Sequence, residues 1–242
     1  MVVRRFIGMC FILWGTCGHS RADLVAYWPL NDGAPGTPVS ATGADDVIDD
    51  PNHGAEDAVA HGAGNDTWEL DPERGVVLST TEGSRLRAGT QDIDLAKGFS
   101  WSLWVKVARS NNTDTGADVI MGSRNGVWNK LQPYGLQRWA TITGYDVADD
   151  TWHHMAVVGS SEPRVSLYID GSLVGSDTTM YNNLTVINDV LEIGGSSRFS
   201  EDVTALMSDV AIWDEPLSEA RIQDLANGGP VIPPKGFRII LE

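Results

Sequence analysis

The chain has 242 residues, of which 42% are hydrophobic and 26 are glycine. That is enough apolar material for one large β domain with many turns. The 33 acidic residues outnumber the 17 basic ones and set the net charge at −16. So acidic a chain disfavours nucleic acid and anionic membranes as partners, because their phosphates are bound by Lys and Arg.

The first 22 residues have the composition of a secretory signal. Arg4 and Arg5 precede an apolar run over 6–14, and Ser20 and Ala22 form a small-x-small cleavage site. The run is too short to span a bilayer. We therefore predict a signal peptide at 1–22 and a mature chain that is secreted, extracellular or periplasmic, without insertion into the membrane.

Both cysteines, Cys10 and Cys17, lie inside this segment. The mature chain is therefore expected to have neither disulfides nor thiolate metal sites. A lipoprotein signal ending at Cys17 is the alternative, although Trp14-Gly15-Thr16 is a poor match to such a signal. Cleavage after residue 22 removes three basic residues and no acidic one, which takes the net charge from −16 to about −19.

Short apolar runs separated by turn residues follow the signal, and the run over 99–107 alternates apolar with small or polar residues. A period of two is typical of a half-buried strand. The Asp170-Gly171 pair between two such runs predicts a hairpin. Strands are predicted at 24–30, 76–78, 85–87, 99–107, 119–121, 135–142, 152–158, 165–169, 172–174, 190–193 and 206–213.

One helix is predicted near the C-terminus. Ser218 can cap it, Ile222 and Leu225 fall on one face, and Gly228-Gly229-Pro230 ends it. With many strands and no strand–helix alternation, the fold class is all-β, an antiparallel β-sandwich with one short C-terminal helix. The predicted organisation is a signal at 1–22, one domain at 23–229 and a tail at 230–242.

Seven segments, taken in order, resemble the laminin G-like, concanavalin A-like jelly-roll domains. The resemblance covers about residues 24 to 227. It implies two packed antiparallel sheets in an extracellular protein, in a family that includes lectins, adhesion modules and enzyme-appended domains. The segments are 26–33 (AYWPLNDG), 49–54 (DDPNHG), 99–106 (FSWSLWVK), 152–158 (WHHMAVV) with 165–171 (VSLYIDG), 191–195 (LEIGG), 207–213 (MSDVAIW) and 217–218 (LS).

The sequence offers little for catalysis. Retaining glucanases of this fold class carry Glu-x-Asp-x-Glu on a strand, and the similar stretch Glu69-Leu70-Asp71-Pro72-Glu73 is interrupted by Pro72, which is excluded from central strands. We expect this stretch to be a solvated acidic loop, and we predict no catalytic residues. His153 and His154 are adjacent, so on a strand they point to opposite faces and cannot chelate one ion together.

Acidic loops are a better prospect for a ligand, because Ca²⁺ prefers carboxylate, amide and carbonyl oxygens. The resemblance implies that some members bind a structural calcium where such loops meet a late strand. The residues placed there are Asp32, Asp49, Asp50 and Asp209. The alternative is that these acids are ordinary turn residues.

Eight tryptophans follow the signal. Trp28, Trp101, Trp104, Trp152 and Trp213 fall on family strands and are expected in the core, whereas Trp68, Trp128 and Trp139 are freer. An exposed aromatic ring can stack on a sugar while polar neighbours bond its hydroxyls. The predicted ligand-binding residues are Arg124, Trp128, Asn129, Tyr134 and Trp139.

These observations predict a secreted, non-catalytic module that binds glycan or an extracellular protein, with a structural calcium. The alternatives are a glycoside hydrolase of the same fold and a purely structural piece of a cell surface.

Overall fold

The computed structural model describes residues 23–48, 57–94, 98–109, 118–123, 130–137, 141–160, 164–178, 186–196 and 201–232. The predicted signal at 1–22 and most of the predicted tail, from residue 233 on, lie outside these ranges. No helix among the described residues is long and apolar enough to cross a membrane.

The described residues form strands throughout, with one α-helix near the C-terminus and one 3₁₀ turn at Val39–Ala41. In chain order the elements are β1 (Leu24–Trp28), β2 (Val59–Gly62), β3 (Thr67–Asp71), β4 (Gly75–Thr80), β5 (Ser84–Asp94), β6 (Phe99–Val107), β7 (Met121–Ser123), β8 (Lys130–Gln132), β9 (Gly135–Gln137), β10 (Ile142–Thr143), β11 (Trp152–Ser160), β12 (Arg164–Ile169), β13 (Ser172–Asp177), β14 (Val186–Ile193), β15 (Gly195–Ser196), β16 (Glu201–Asp202), β17 (Ala205–Trp213) and α1 (Glu219–Ala226).

Two antiparallel sheets account for most of these strands. Within the described part of the chain, the first sheet has the order β13-β12-β11-β6-β17-β4-β3, and β1 pairs with β17 as well. The second has the order β10-β9-β8-β7-β14-β5-β2. A large core lies between the sheets, so the predicted all-β antiparallel sandwich is confirmed.

The residues of strand β6 alternate between the two faces of the first sheet. Phe99 and Trp101 point into the main core and are at most 2% exposed, whereas Trp104 and Lys106 point away from it and are half-buried. The alternation follows from the two-residue period of a strand. We call the side that faces away from the main core the outer face of the first sheet.

Helix α1 covers one end of this outer face. Its Ile222 and Leu225 pack in a smaller cluster with Ala156 of β11 and Trp213 of β17. The Ser218 hydroxyl caps the helix by accepting from the backbone N–H of Arg221, as predicted. The part of the outer face that the helix leaves uncovered holds the cavities described below.

The hairpin prediction is confirmed. Asp170 and Gly171 join β12 to β13 with φ angles of 50° and 76°, and the two strands pair directly. Asp and Gly are the residues that tolerate this left-handed backbone best.

Two strands between residues 31 and 75 were not predicted, and three tryptophans differ from the expectation. The stretch between the first two predicted strands contains β2 and β3, and Trp68 on β3 is fully buried rather than free. Its indole N–H donates to the Thr42 hydroxyl, 2.9 Å away. Trp28, Trp101 and Trp213 lie in cores as predicted, but Trp104 and Trp152 lie half-buried on the outer face.

Candidate functional site

A cavity of about 280 Å³ opens on the outer face of the first sheet, beside the end of helix α1. We call it the outer groove. One wall is the segment from Gly228 to Ile232, which follows the helix. The sheet contributes Tyr27, Arg74, Ser102, Trp104, His154 and Asp209.

Arg74 is the central cation of the outer groove. It lies in the tight turn between β3 and β4, and its Nε donates to the Ser208 hydroxyl at 2.6 Å while Nη2 donates to Asp209 Oδ2 at 2.6 Å. Its guanidinium carbon is 4.1 Å from the centroid of the Trp104 ring and 5.4 Å from that of Trp152. Both contacts are within the range of a cation–π interaction.

Asp209 holds this arrangement together from β17. The strand pairing shifts between Ser208 and Ala211, and Asp209 in this bulge has a φ of 55°. An extra residue in a bulge redirects a side chain, and Asp is among the few residues that accept a left-handed backbone. The Asp209 carboxylate thereby accepts from Arg74 and, at 2.6 Å, from the Tyr27 hydroxyl. Burial, together with this hydrogen bond and the Asp209 charge, raises the pKa of Tyr27 above its usual range.

His154 lies on β11 directly opposite Trp104 of β6, and their ring centroids are 5.4 Å apart, edge to face. The residue is 1% exposed, and burial lowers the pKa of the imidazole to about 4. The ring is therefore neutral at physiological pH. Its Nδ1 is buried and has no hydrogen-bond partner among the described residues.

His153 points to the opposite face of β11, as predicted. Its Nδ1 is 2.7 Å from Asp170 and its Nε2 is 3.2 Å from Asp149. Burial opposes protonation, but the hydrogen bonds and charges of these two carboxylates raise the pKa of His153. The pKa values of the adjacent histidines are therefore shifted in opposite directions, because each ring lies on a different face of the strand.

The acidic stretch at 69–73 is not the solvated loop that the sequence predicted. Glu69 and Asp71 lie on edge strand β3 instead of in a loop, and only Pro72 and Glu73 belong to the turn. Asp71 is 5% exposed and accepts from the backbone N–H groups of Glu73 and Arg74 and, at 3.1 Å, from the Trp152 indole. Burial by itself would raise the pKa of Asp71, but these hydrogen bonds hold the pKa below its usual value.

A second cavity, of about 300 Å³, lies further along the same strands. We call it the distal pocket. Its polar lining includes Glu69, Ser79, Lys106, Asp150 and Thr204, and Leu206 is one of its apolar members.

Of the five predicted ligand-binding residues, the structure describes one, Tyr134. Arg124, Trp128, Asn129 and Trp139 lie outside the described residues. Tyr134 is half-buried against the main core, with the Arg109 guanidinium carbon 5.4 Å from its ring centroid. It lines neither the outer groove nor the distal pocket.

Two of the four predicted metal ligands, Asp32 and Asp209, are among the described residues. Asp49 and Asp50 lie outside the described residues. Asp32 has one carboxylate oxygen buried without a hydrogen-bond partner in the described part of the chain, and burial and the nearby Asp45 charge raise its pKa. Such an oxygen suits a cation. Asp209, by contrast, already has the Arg74 cation as its partner.

No group of three or more His, Cys, Asp or Glu side chains among the described residues is close enough together to hold a metal ion. The calcium site therefore stays a prediction, centred on Asp32.

Sequence reasoning missed most of the outer groove. The shared face of Trp152 and His154 follows from strand alternation. Arg74, however, lies in a turn, and Tyr27 and Asp209 meet only because β1 pairs with β17. Asp209 is predicted from the sequence only as a metal ligand, and no local signal places it beside Arg74 and Tyr27.

Several solved structures share this fold. Domain 4 of AbnA, a GH43 extracellular arabinanase from Geobacillus stearothermophilus solved with arabinotriose, is 18% identical with a TM-score of 0.61, over 85% of this chain and 98% of that one. The ligand-binding domain of botulinum neurotoxin serotype D, solved with N-acetylneuraminic acid, is 13% identical with a TM-score of 0.59, over 85% of this chain and 50% of that one.

The binding domain of Paraclostridial Mosquitocidal Protein 1 is 15% identical with a TM-score of 0.57, over 85% of this chain and 52% of that one. The chain thus spans about half the length of the two toxin domains. At these identities the likeness is one of fold. No curated protein matches the chain.

The family described as the concanavalin A-like lectin/glucanases superfamily matches residues 80–223. This stretch runs from the end of β4 into helix α1 and includes β6, β11 and β17, the strands beneath the outer groove. The chain belongs to the concanavalin A-like lectin/glucanase superfamily.

Proposed function

We propose that this protein is an exported, non-catalytic module that binds carbohydrate through the outer groove. The observation that carries the proposal is the stack of Arg74 against Trp104 and Trp152, held by Asp209 at the edge of an open cavity. Aromatic surface beside fixed hydrogen-bonding groups is what a sugar ring requires, since it has apolar C–H faces and a polar rim.

The groove is preorganised for such a ligand. Two of the five N–H groups of Arg74 are used by Ser208 and Asp209, which leaves others for a ligand while the side chain is already fixed. Trp104 is held between Arg74 and His154. Binding therefore has little side-chain entropy left to lose, which favours affinity for small polar ligands.

The solved structures of similar fold support this reading. One was solved with arabinotriose and another with N-acetylneuraminic acid, both carbohydrates. The predicted signal at 1–22 supports a location outside the cytoplasm. An extracellular protein partner is the alternative ligand for the same groove.

A glycoside hydrolase is the second candidate, because Glu69 and Asp71 share one face of β3. The environment of Asp71 argues against it: three donors stabilise the ionised carboxylate, whereas a general acid needs a raised pKa. Release of reducing sugar by the wild type, abolished in Glu69→Gln, would establish hydrolysis and remove the non-catalytic proposal.

We also propose that Asp32 contributes to a structural calcium site with Asp49 and Asp50. The buried, unpartnered oxygen of Asp32 supports this. Bound Ca²⁺ would neutralise the charge that Asp32 and Asp45 place side by side.

Carbohydrate binding is tested with a glycan microarray and with affinity electrophoresis in gels containing arabinan, xylan, laminarin or polygalacturonate. The wild type is expected to bind or be retarded on at least one of them. Arg74→Gln should lose this binding, and Arg164→Gln, which changes an exposed arginine at the start of β12, should keep it. Absence of binding to every glycan would overturn the proposal and leave a structural or protein-binding role.

A further inference from the structure

The distal pocket and the outer groove lie on the same two strands. Lys106 of β6 is opposite Leu206 of β17 at the distal pocket, and Trp104 is opposite Ser208 at the outer groove. Two residues along a strand span about 7 Å. The two cavities are therefore neighbours on the outer face of the first sheet.

The distal pocket carries both kinds of hydrogen-bonding group. Glu69 and Asp150 supply acceptors, and the Lys106 ammonium supplies donors. Lys106 Nζ is 3.9 Å from Asp71 Oδ2, at the outer limit of an ion pair, so its donors remain within reach of a ligand. With two carboxylates and one ammonium, the pocket has a net negative charge, which disfavours an acidic ligand.

Trp152 adjoins one residue of each cavity, although it lines neither. It is the register partner of Lys106, which lines the distal pocket, and its ring is 5.4 Å from the guanidinium of Arg74, which lines the outer groove. Its indole N–H is bonded to Asp71, which fixes the orientation of the ring. A ligand that reaches from one cavity to the other passes Arg74 and Lys106, the two residues that this half-buried ring adjoins.

We propose that the distal pocket is a second sugar subsite, and that the ligand is a neutral oligosaccharide of at least two residues that runs from one cavity to the other. This inference rests on the proposed carbohydrate-binding function and specifies its ligand. One sugar residue occupies the outer groove beside Trp104, and the next places its hydroxyls between Glu69, Lys106 and Asp150.

The test uses calorimetric titration of the full-length protein with the mono- to tetrasaccharides of whichever polysaccharide binds it, arabinose to arabinotetraose in the case of arabinan. Affinity should rise at least tenfold from the monosaccharide to the longer oligomers. Lys106→Met and Glu69→Gln should each lower the affinity for the trisaccharide about tenfold and leave that for the monosaccharide unchanged. Glu73→Gln, in the turn of the same hairpin but outside the pocket, is the matched control.

The outcomes separate the two proposals. Equal affinity for monosaccharide and trisaccharide, or trisaccharide binding unaffected by both pocket variants, overturns the second subsite while carbohydrate binding stands. Binding to polygalacturonate alone overturns the neutral ligand. Absence of binding to every glycan overturns both the second subsite and the proposed function.

Discussion

The guanidinium carbon of Arg74 lies 4.1 Å from the centroid of the Trp104 ring, although the two residues are 30 positions apart and belong to different strand pairs. The contact joins the turn after β3 to the outer face of β6, and the Asp209 carboxylate completes it from β17. A planar cation stacked on an indole and paired with a carboxylate has little freedom to move. This relationship gives the outer groove its shape and its charge.

Replacement of Arg74 by lysine should weaken both folding and glycan binding. A lysine ammonium lacks the planar fork that bridges Ser208 and Asp209 while stacking on Trp104. We expect the free energy of unfolding to fall by about 1–2 kcal/mol, measured by urea denaturation, and retention on the binding polysaccharide to be lost. A wild-type urea midpoint together with unchanged retention would show that the stack is not needed.

The two histidines should give opposite pH dependences. The pKa of buried His154 is lowered to about 4, so the unfolded state takes up a proton first as pH falls below 6.5. The stability from this group is complete above pH 6.5 and lost as pH falls toward 4. Between pH 7.5 and pH 5 the loss is about 2 kcal/mol.

His154→Phe should remove that loss, because phenylalanine takes no proton and can keep the edge contact with Trp104. The free energy of unfolding by urea at pH 7.5 and pH 5 measures the effect. His153 has a raised pKa, so its contribution is present below pH 6.5 and disappears as pH rises through its folded pKa. His153→Gln should therefore steepen the fall in stability at acid pH, and identical pH slopes in wild type and His154→Phe would contradict the assignment.

Asp209 should tolerate asparagine better than alanine. Both substitutions remove the charge paired with Arg74, but asparagine accepts the left-handed backbone at φ 55° and keeps an acceptor for the Tyr27 hydroxyl. We expect about 3 kcal/mol of lost stability for Asp209→Ala and about 1–2 kcal/mol less for Asp209→Asn. Thermal or urea unfolding distinguishes the two, and equal losses would mean that neither the backbone conformation nor the Tyr27 bond contributes.

Calcium should raise the melting temperature of the protein, and a chelator should reverse the rise. A site filled at 100 times its dissociation constant adds about 2.7 kcal/mol. The rise should disappear in Asp32→Ala or Asp49→Ala and persist in Asp214→Ala, whose carboxylate instead accepts from the backbone of Asp23. An unchanged melting temperature at millimolar calcium would remove the metal site and leave Asp32 and Asp49 as turn residues.

Local patterns in the sequence are enough to predict the strands that hold the fold. The alternation along 99–107, the strand at 152–158, the Asp170-Gly171 turn and the Ser218 cap depend on neighbouring residues, and all four appear as predicted. The same alternation separates His153 from His154. The family resemblance, built from these segments, is confirmed by the family match.

Tertiary structure alone decides the candidate site. Trp104 and Trp68 carry the same side chain, yet one lies on the outer face and the other in the core, because the packing of sheets and helix determines which face of a strand is covered. Arg74 comes from the turn after β3, Tyr27 from β1 and Asp209 from β17, and they meet through the pairing of β17 with β1 and the bulge at Asp209. A one-dimensional pattern records spacing along the chain, whereas stacking and ion pairing depend on distances across it, and those distances exist only once the sheets have formed.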